Sequence, residues 1–167
     1  ACSIGLTQST AAQTGVDVAR AYREGHAPAI VRDFADMLRY PNRARDLDDV
    51  TRAAEYIRGQ MGEAGVETQL LSLEGVPPLV FGELRVPGAT RTLGLYAHYD
   101  GQPVDPSNWT HPPFAPTLYT AAMETGGRPR ALPVDGEDVD PEWRIYARSA
   151  GDDKAPIQAF LTVLRAF

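Results

Sequence analysis

The stretch Arg91-Thr-Leu-Gly-Leu-Tyr-Ala-His-Tyr-Asp100 reads as an apolar strand that ends in polar side chains. On a strand, residues two apart face the same side. His98 and Asp100 therefore project together, with Tyr99 opposite. An imidazole that binds a metal needs a partner for its second nitrogen, and a carboxylate two residues on can supply it. Asp152-Asp153-Lys154 follows further along the chain. Asp152 is thus a second carboxylate, able to close a metal site from another loop. Each residue also has a plainer reading. His98 can be a strand-end histidine with an ordinary hydrogen bond. Asp100 before Gly101 is a turn signal. Asp152 suits the N-cap of a following helix, and Asp153 reads as a capping or solvated carboxylate. His26 precedes a predicted helix and His111 sits in a Pro-rich loop, so neither is taken as a ligand.

Outward from this stretch, the pattern alternates between helix and strand. Val16 to Arg23 is a short helical lead-in. Ala27 to Arg39 has apolar residues at 30, 31, 34, 37 and 38, the spacing of an amphipathic helix. Tyr40-Pro41-Asn42 ends it, because proline disfavours helix at the residue before it. Asp46 to Ala64 is a second helix, with Val50, Ala53, Ala54, Ile57 and Met61 as its stripe and Gly65 as its stop. Strands are predicted at 66–73, 79–86, 92–97 and 143–147, the third being central and buried on both faces. A last helix spans 154–166. The fold class is α/β, a three-layer αβα sandwich on a mixed, mostly parallel sheet. In such sheets ligands gather beyond the C-terminal ends of the strands, where His98 and Asp100 lie.

Three segments in order carry a resemblance. They are His98-Tyr-Asp-Gly-Gln-Pro-Val104, Trp109-Thr-His-Pro-Pro-Phe-Ala-Pro116 and Tyr146-Ala-Arg-Ser-Ala-Gly-Asp-Asp-Lys-Ala-Pro-Ile157. The chain from about Ala27 to Phe167 resembles the zinc-dependent exopeptidase superfamily. That group contains glutamate carboxypeptidases, carnosinase-like dipeptidases, aminoacylases and succinyl-diaminopimelate desuccinylases.

The resemblance implies that His98 binds one zinc ion and that Asp152 bridges two. It implies that Asp100 orients His98 and supports catalysis. The implied reaction is hydrolysis of a peptide or amide bond in a small peptide or N-acyl amino acid, with two zinc ions as cofactor and a homodimer as the assembly. The family also carries a Glu-Glu pair some tens of residues beyond the Asp-Asp pair, the first Glu being the general base. No Glu, Asp or His follows Asp153 here. Residues 17–167 are therefore expected to form the N-terminal part of a catalytic domain, without its lid domain and inert alone. The competing class is an inactive paralogue that keeps the fold as a binding or structural module. Ala147, Ser149 and Ala155 stand where the family often has glycine, and no role is assigned to residues 117–142.

Composition narrows the alternatives. The 167 residues are 43% hydrophobic and 23% charged, enough for one domain with a core. A net charge of −6 shows no nucleic-acid footprint. The single cysteine, Cys2, leaves no internal disulfide. No run is long and apolar enough to span a membrane. Residues 1–16 lack charge and are rich in small side chains, which suits a disordered tail or a signal-peptide remnant. The corresponding expectation for location is periplasmic or secreted, and otherwise cytoplasmic.

Overall fold

The structure, a computed structural model, describes residues 10–167. Helix α1 spans Thr10–Leu38 and runs through Pro28 without a break. The sequence pattern separates a helical lead-in at 16–23 from a helix that begins at Ala27, and the two are one continuous helix here. Two regimes do meet near that point. Before Ala27 the helix is largely exposed, whereas Pro28, Ala35, Met37 and Leu38 are buried. Of the stretch 1–16, residues 10–16 form the first turns of α1, and the rest lies outside the described residues.

Helix α2 spans Leu47–Glu63 and starts as its sequence suggests. The Asp46 carboxylate accepts a hydrogen bond from the Asp49 N–H at 3.2 Å, which satisfies a free donor of the first turn. Gly65, at φ 82°, ends it in the left-handed conformation that glycine adopts at least cost. Its buried face is Val50, Ala53, Ala54 and Ile57. The chain then forms an antiparallel hairpin of β1 (Glu67–Leu71) and β2 (Leu79–Glu83), with Gln69 opposite Phe81. Strand β3 (Thr117–Tyr119) lies between β4 (Pro129–Arg130) and β5 (Arg144–Tyr146), both antiparallel to it. Helix α3 spans Ala155–Ala166. Met37 of α1, Ile57 of α2 and Ile157 and Leu161 of α3 form the core, with Tyr56, Met61, Val80, Ala97 and Tyr99 packed against it.

The mostly parallel sheet and the three-layer arrangement are not seen among the described residues. Both sheets are small and antiparallel, and parallel pairing is confined to a bridge between Arg43 and Gly101. The expected central strand at 92–97 is absent. Leu93 is 82% exposed and Tyr96 84%. A central strand needs a neighbour on each edge and a layer on each face, and no described strand flanks this one. The mixed α/β character stands; the parallel core of the expected sandwich is not formed here.

Candidate functional site

Three segments converge: the exit of α1 at 37–42, the stretch 97–101, and the loop 149–154 that enters α3. Asn42 is fully buried and joins the first two. Gly101 N–H donates to the Asn42 carbonyl at 2.6 Å, and Ala44 N–H donates to the Gly101 carbonyl at 3.0 Å. The Asn42 side-chain amide donates to the Tyr99 carbonyl at 2.6 Å and to Ser149 Oγ at 3.0 Å. Position 101 must be glycine for this approach. A Cβ there would lie 2.5 Å from Ser149 Oγ and 3.1 Å from Asn42 Oδ1.

The third segment is held from both ends. Upstream, β5 pairs with β3 and Arg148 N–H donates to the Pro113 carbonyl at 2.6 Å. The Tyr146 hydroxyl accepts from Met123 N–H at 3.0 Å. The segment 117–142, to which the sequence assigns no role, thus supplies two strands that brace the approach to the Asp-Asp pair. Arg32 of α1 also donates to the Pro133 carbonyl at 2.8 Å. Downstream, the fully buried Lys154 ammonium donates to the carbonyls of Met37 at 3.0 Å and Tyr40 at 2.7 Å. These acceptors lie at the C-terminal end of α1, where carbonyls lack helical partners and a cation is favoured. Burial lowers the Lys154 pKa to about 8. Between these anchors Ser149 takes a left-handed conformation at φ 62°, and the Asp152–Asp153 peptide is cis.

On this frame His98 Nε2 lies 2.9 Å from Asp152 Oδ1. On the other side of the ring, Nδ1 lies 3.1 Å from the Asp100 carbonyl oxygen and 3.3 Å from Asp100 Oδ1. A carbonyl oxygen and a carboxylate oxygen both only accept, so Nδ1–H donates to Asp100 and, without a metal ion, a proton on Nε2 faces Asp152; an ion between Nε2 and Asp152 would take that proton's place. The His98 main-chain N–H donates to Asp153 Oδ2 at 3.2 Å, which gives Asp153 a contact in the cluster. Partial burial pulls the His98 pKa down. The hydrogen bond to the Asp100 backbone and the charges of Asp153, Asp100 and Asp152 outweigh it, and the net shift is upward.

The structure therefore brings His98, Asp100 and Asp152 together. His26 and His111 make other contacts: His26 Nδ1 lies 2.8 Å from the Tyr22 carbonyl, and His111 Nε2 lies 2.5 Å from the Tyr119 hydroxyl. Asn42 and the anchoring by Lys154 escape the sequence reading. The one hint is a polar residue placed directly after the Pro41 that ends α1. One imidazole nitrogen with a carboxylate oxygen is donor chemistry that suits zinc. Among the described residues, however, no group of three or more His, Cys, Asp or Glu side chains is placed to hold a metal ion. The residues fit as a share of a zinc donor set and not as a closed site.

No protein-family model matches the chain. It is 46% identical over 56 residues to a succinyl-diaminopimelate desuccinylase of Paracoccus denitrificans (strain Pd 1222), an alignment covering 33% of this chain and 14% of that protein. The fold matches the solved structure of the dipeptidase Dug1p from Saccharomyces cerevisiae with a TM-score of 0.66 at 18% identity, over 91% of this chain and 31% of the other. The chain thus spans less than a third of either protein's length. No helix among the described residues is long and apolar enough to cross a membrane. The desuccinylase likeness in sequence agrees with the resemblance carried by the three motifs, and the dipeptidase likeness is one of fold.

Proposed function

We propose that this chain contributes part of the metal centre of a zinc-dependent hydrolase that cleaves peptide or amide bonds in dipeptides or N-acyl amino acids. The observation that carries the reading is the His98 ring. Its Nδ1–H is committed to Asp100, and its Nε2 is directed at Asp152 Oδ1, 2.9 Å away. His98 Nε2 and Asp152 Oδ1 would hold one ion. The Asp152 side chain is 82% exposed, which leaves its second oxygen free for another ion. Bound zinc supplies an acidified water and a positive charge against the scissile carbonyl. Asp100 fixes the tautomer and orientation of His98, and Lys154 and Asn42 hold the loops. Two protein donors fall short of the three or four of an ordinary zinc site, so the remaining donors and the general base would come from other residues of a longer enzyme. The names of the two similar proteins, a desuccinylase and a dipeptidase, support the substrate class.

Zinc titration of the chain, followed by calorimetry and by the His98 imidazole resonances, tests this. Zinc is expected to move the His98 signals, and His98→Ala and Asp152→Ala are each expected to weaken binding at least about tenfold. Equal zinc binding by wild type and His98→Ala would sink the assignment.

A further inference from the structure

Asn42 is a neutral polar side chain with no exposed surface, and it touches both loops that carry the candidate ligands. Its amide nitrogen donates to the carbonyl of Tyr99, the residue between His98 and Asp100. The same nitrogen lies 3.0 Å from Ser149 Oγ, which in turn lies 3.3 Å from Asn42 Oδ1. Ser149 opens the loop that ends in Asp152, Asp153 and Lys154. The Asn42 main chain completes the join through its carbonyl to Gly101 N–H. One residue without exposed surface thus makes four polar contacts. A buried amide left without partners is costly, so this geometry has few alternatives.

We infer that Asn42 is a positioning residue that sets the separation of His98 from Asp152. It clamps the turn after His98 to the loop before Asp152, and so holds His98 Nε2 and Asp152 Oδ1 within reach of one ion. The inference rests on the zinc reading above. Loss of the clamp leaves every candidate donor in place and removes only their register. Outer contacts of this kind commonly change metal affinity by roughly 10–100-fold.

The test is a zinc titration of the chain and four variants. Asn42→Ala and Asn42→Ser remove or shorten the clamp. His98→Ala removes a donor. Val50→Ala trims the buried face of α2 and serves as a control for general destabilisation. Asn42→Ala is expected to raise the zinc Kd at least about tenfold, Asn42→Ser less, and Val50→Ala less than about twofold while still lowering the unfolding midpoint. In the wild-type chain, the Asn42 side-chain amide resonances are expected to shift along the same zinc isotherm as the His98 imidazole. This readout holds even if an Asn42 variant does not fold. Wild-type zinc affinity in Asn42→Ala, equal weakening in Val50→Ala, or an unmoved Asn42 amide would each overturn the inference. Unchanged zinc binding in His98→Ala would instead overturn the metal reading itself.

Discussion

His98 Nε2 stands 2.9 Å from Asp152 Oδ1, a contact between two loops far apart in the chain. Asp153 and Asp100 add further negative charge on other sides of the ring. Burial opposes protonation of His98, but these neighbours prevail and lift its pKa above the ordinary 6.5. Asp152→Asn and Asp153→Asn are therefore each expected to lower it, as read from the His98 ring protons in a pH titration without metal. The sign for stability follows. The folded chain holds the His98 proton more tightly than the unfolded chain does. The associated stabilisation is full below about 6.5 and is lost as pH rises through the folded value. An unchanged His98 pKa in both variants would place the carboxylates too far away to matter.

Gly101 sits where the Asn42 and Ser149 side chains meet. Gly101→Ala would bring a methyl group to 2.5 Å from Ser149 Oγ and 3.1 Å from Asn42 Oδ1, both buried residues with little room to give. The expected loss is about 1–3 kcal/mol, the usual cost of overpacking. Gly59, on the exposed face of α2, has nothing within 4 Å of its added Cβ. There the same substitution is expected to stabilise by about 0.5–1 kcal/mol, because alanine favours helix. Urea unfolding of the two variants checks both signs, and a neutral Gly101→Ala would mean that the loops are not held in close contact.

The parts of the fold set by local chemistry were legible in the sequence. Helix α2 lies within the range 46–64 given by its apolar stripe and stops at Gly65 as read; the Asp46 cap itself emerges from the structure. The β1–β2 hairpin and α3 lie within their predicted ranges. The misreadings concern elements decided by distant neighbours. Leu93, Leu95 and Tyr96 carry the composition of a buried strand, yet strand formation depends on partners that no local pattern reports. Likewise, the apolar pattern gave no sign that the lead-in at 16–23 and the helix from Ala27 join into one. At the site, the pairing of His98 with Asp100 follows from period two, and the meeting with Asp152 came from motif resemblance. Asn42 was invisible because its role consists of contacts with Tyr99, Gly101 and Ser149, all far away in sequence.

Lys154 provides a test by pH. Its folded pKa of about 8 lies below the ordinary 10.5, because burial disfavours the charged form. Between these values the unfolded chain binds more protons, so stability is expected to rise with pH from about 8. Tyr56 and Tyr99 act in the opposite sense. Burial first, then nearby carboxylates, push both phenols up to about 12 from 10.0. Above about 10 the unfolded phenols ionise first and stability falls. The urea midpoint should therefore peak between about 8 and 10.5. Lys154→Met is expected to remove the rising limb and keep the falling one. A rising limb that survives in Lys154→Met would assign it to another group.

The last expectation concerns catalysis by the chain alone. A zinc-bound water attacks a carbonyl only when a base takes its proton and the ion is held in a defined geometry. Near His98 the available carboxylates are Asp100, Asp152 and Asp153. Asp100 contacts the His98 ring, Asp153 accepts from the His98 main chain, and Asp152 is the candidate ligand. None of the three is left over as a free base, and no described cluster supplies three donors for one ion. The purified chain with excess zinc is thus expected to hydrolyse dipeptides and N-succinyl amino acids no faster than zinc in buffer. The measurement is product formation by chromatography, with His98→Ala as the reference. Zinc-dependent turnover present in the wild type and lost in His98→Ala would show that these carboxylates suffice, with one of them serving as the base.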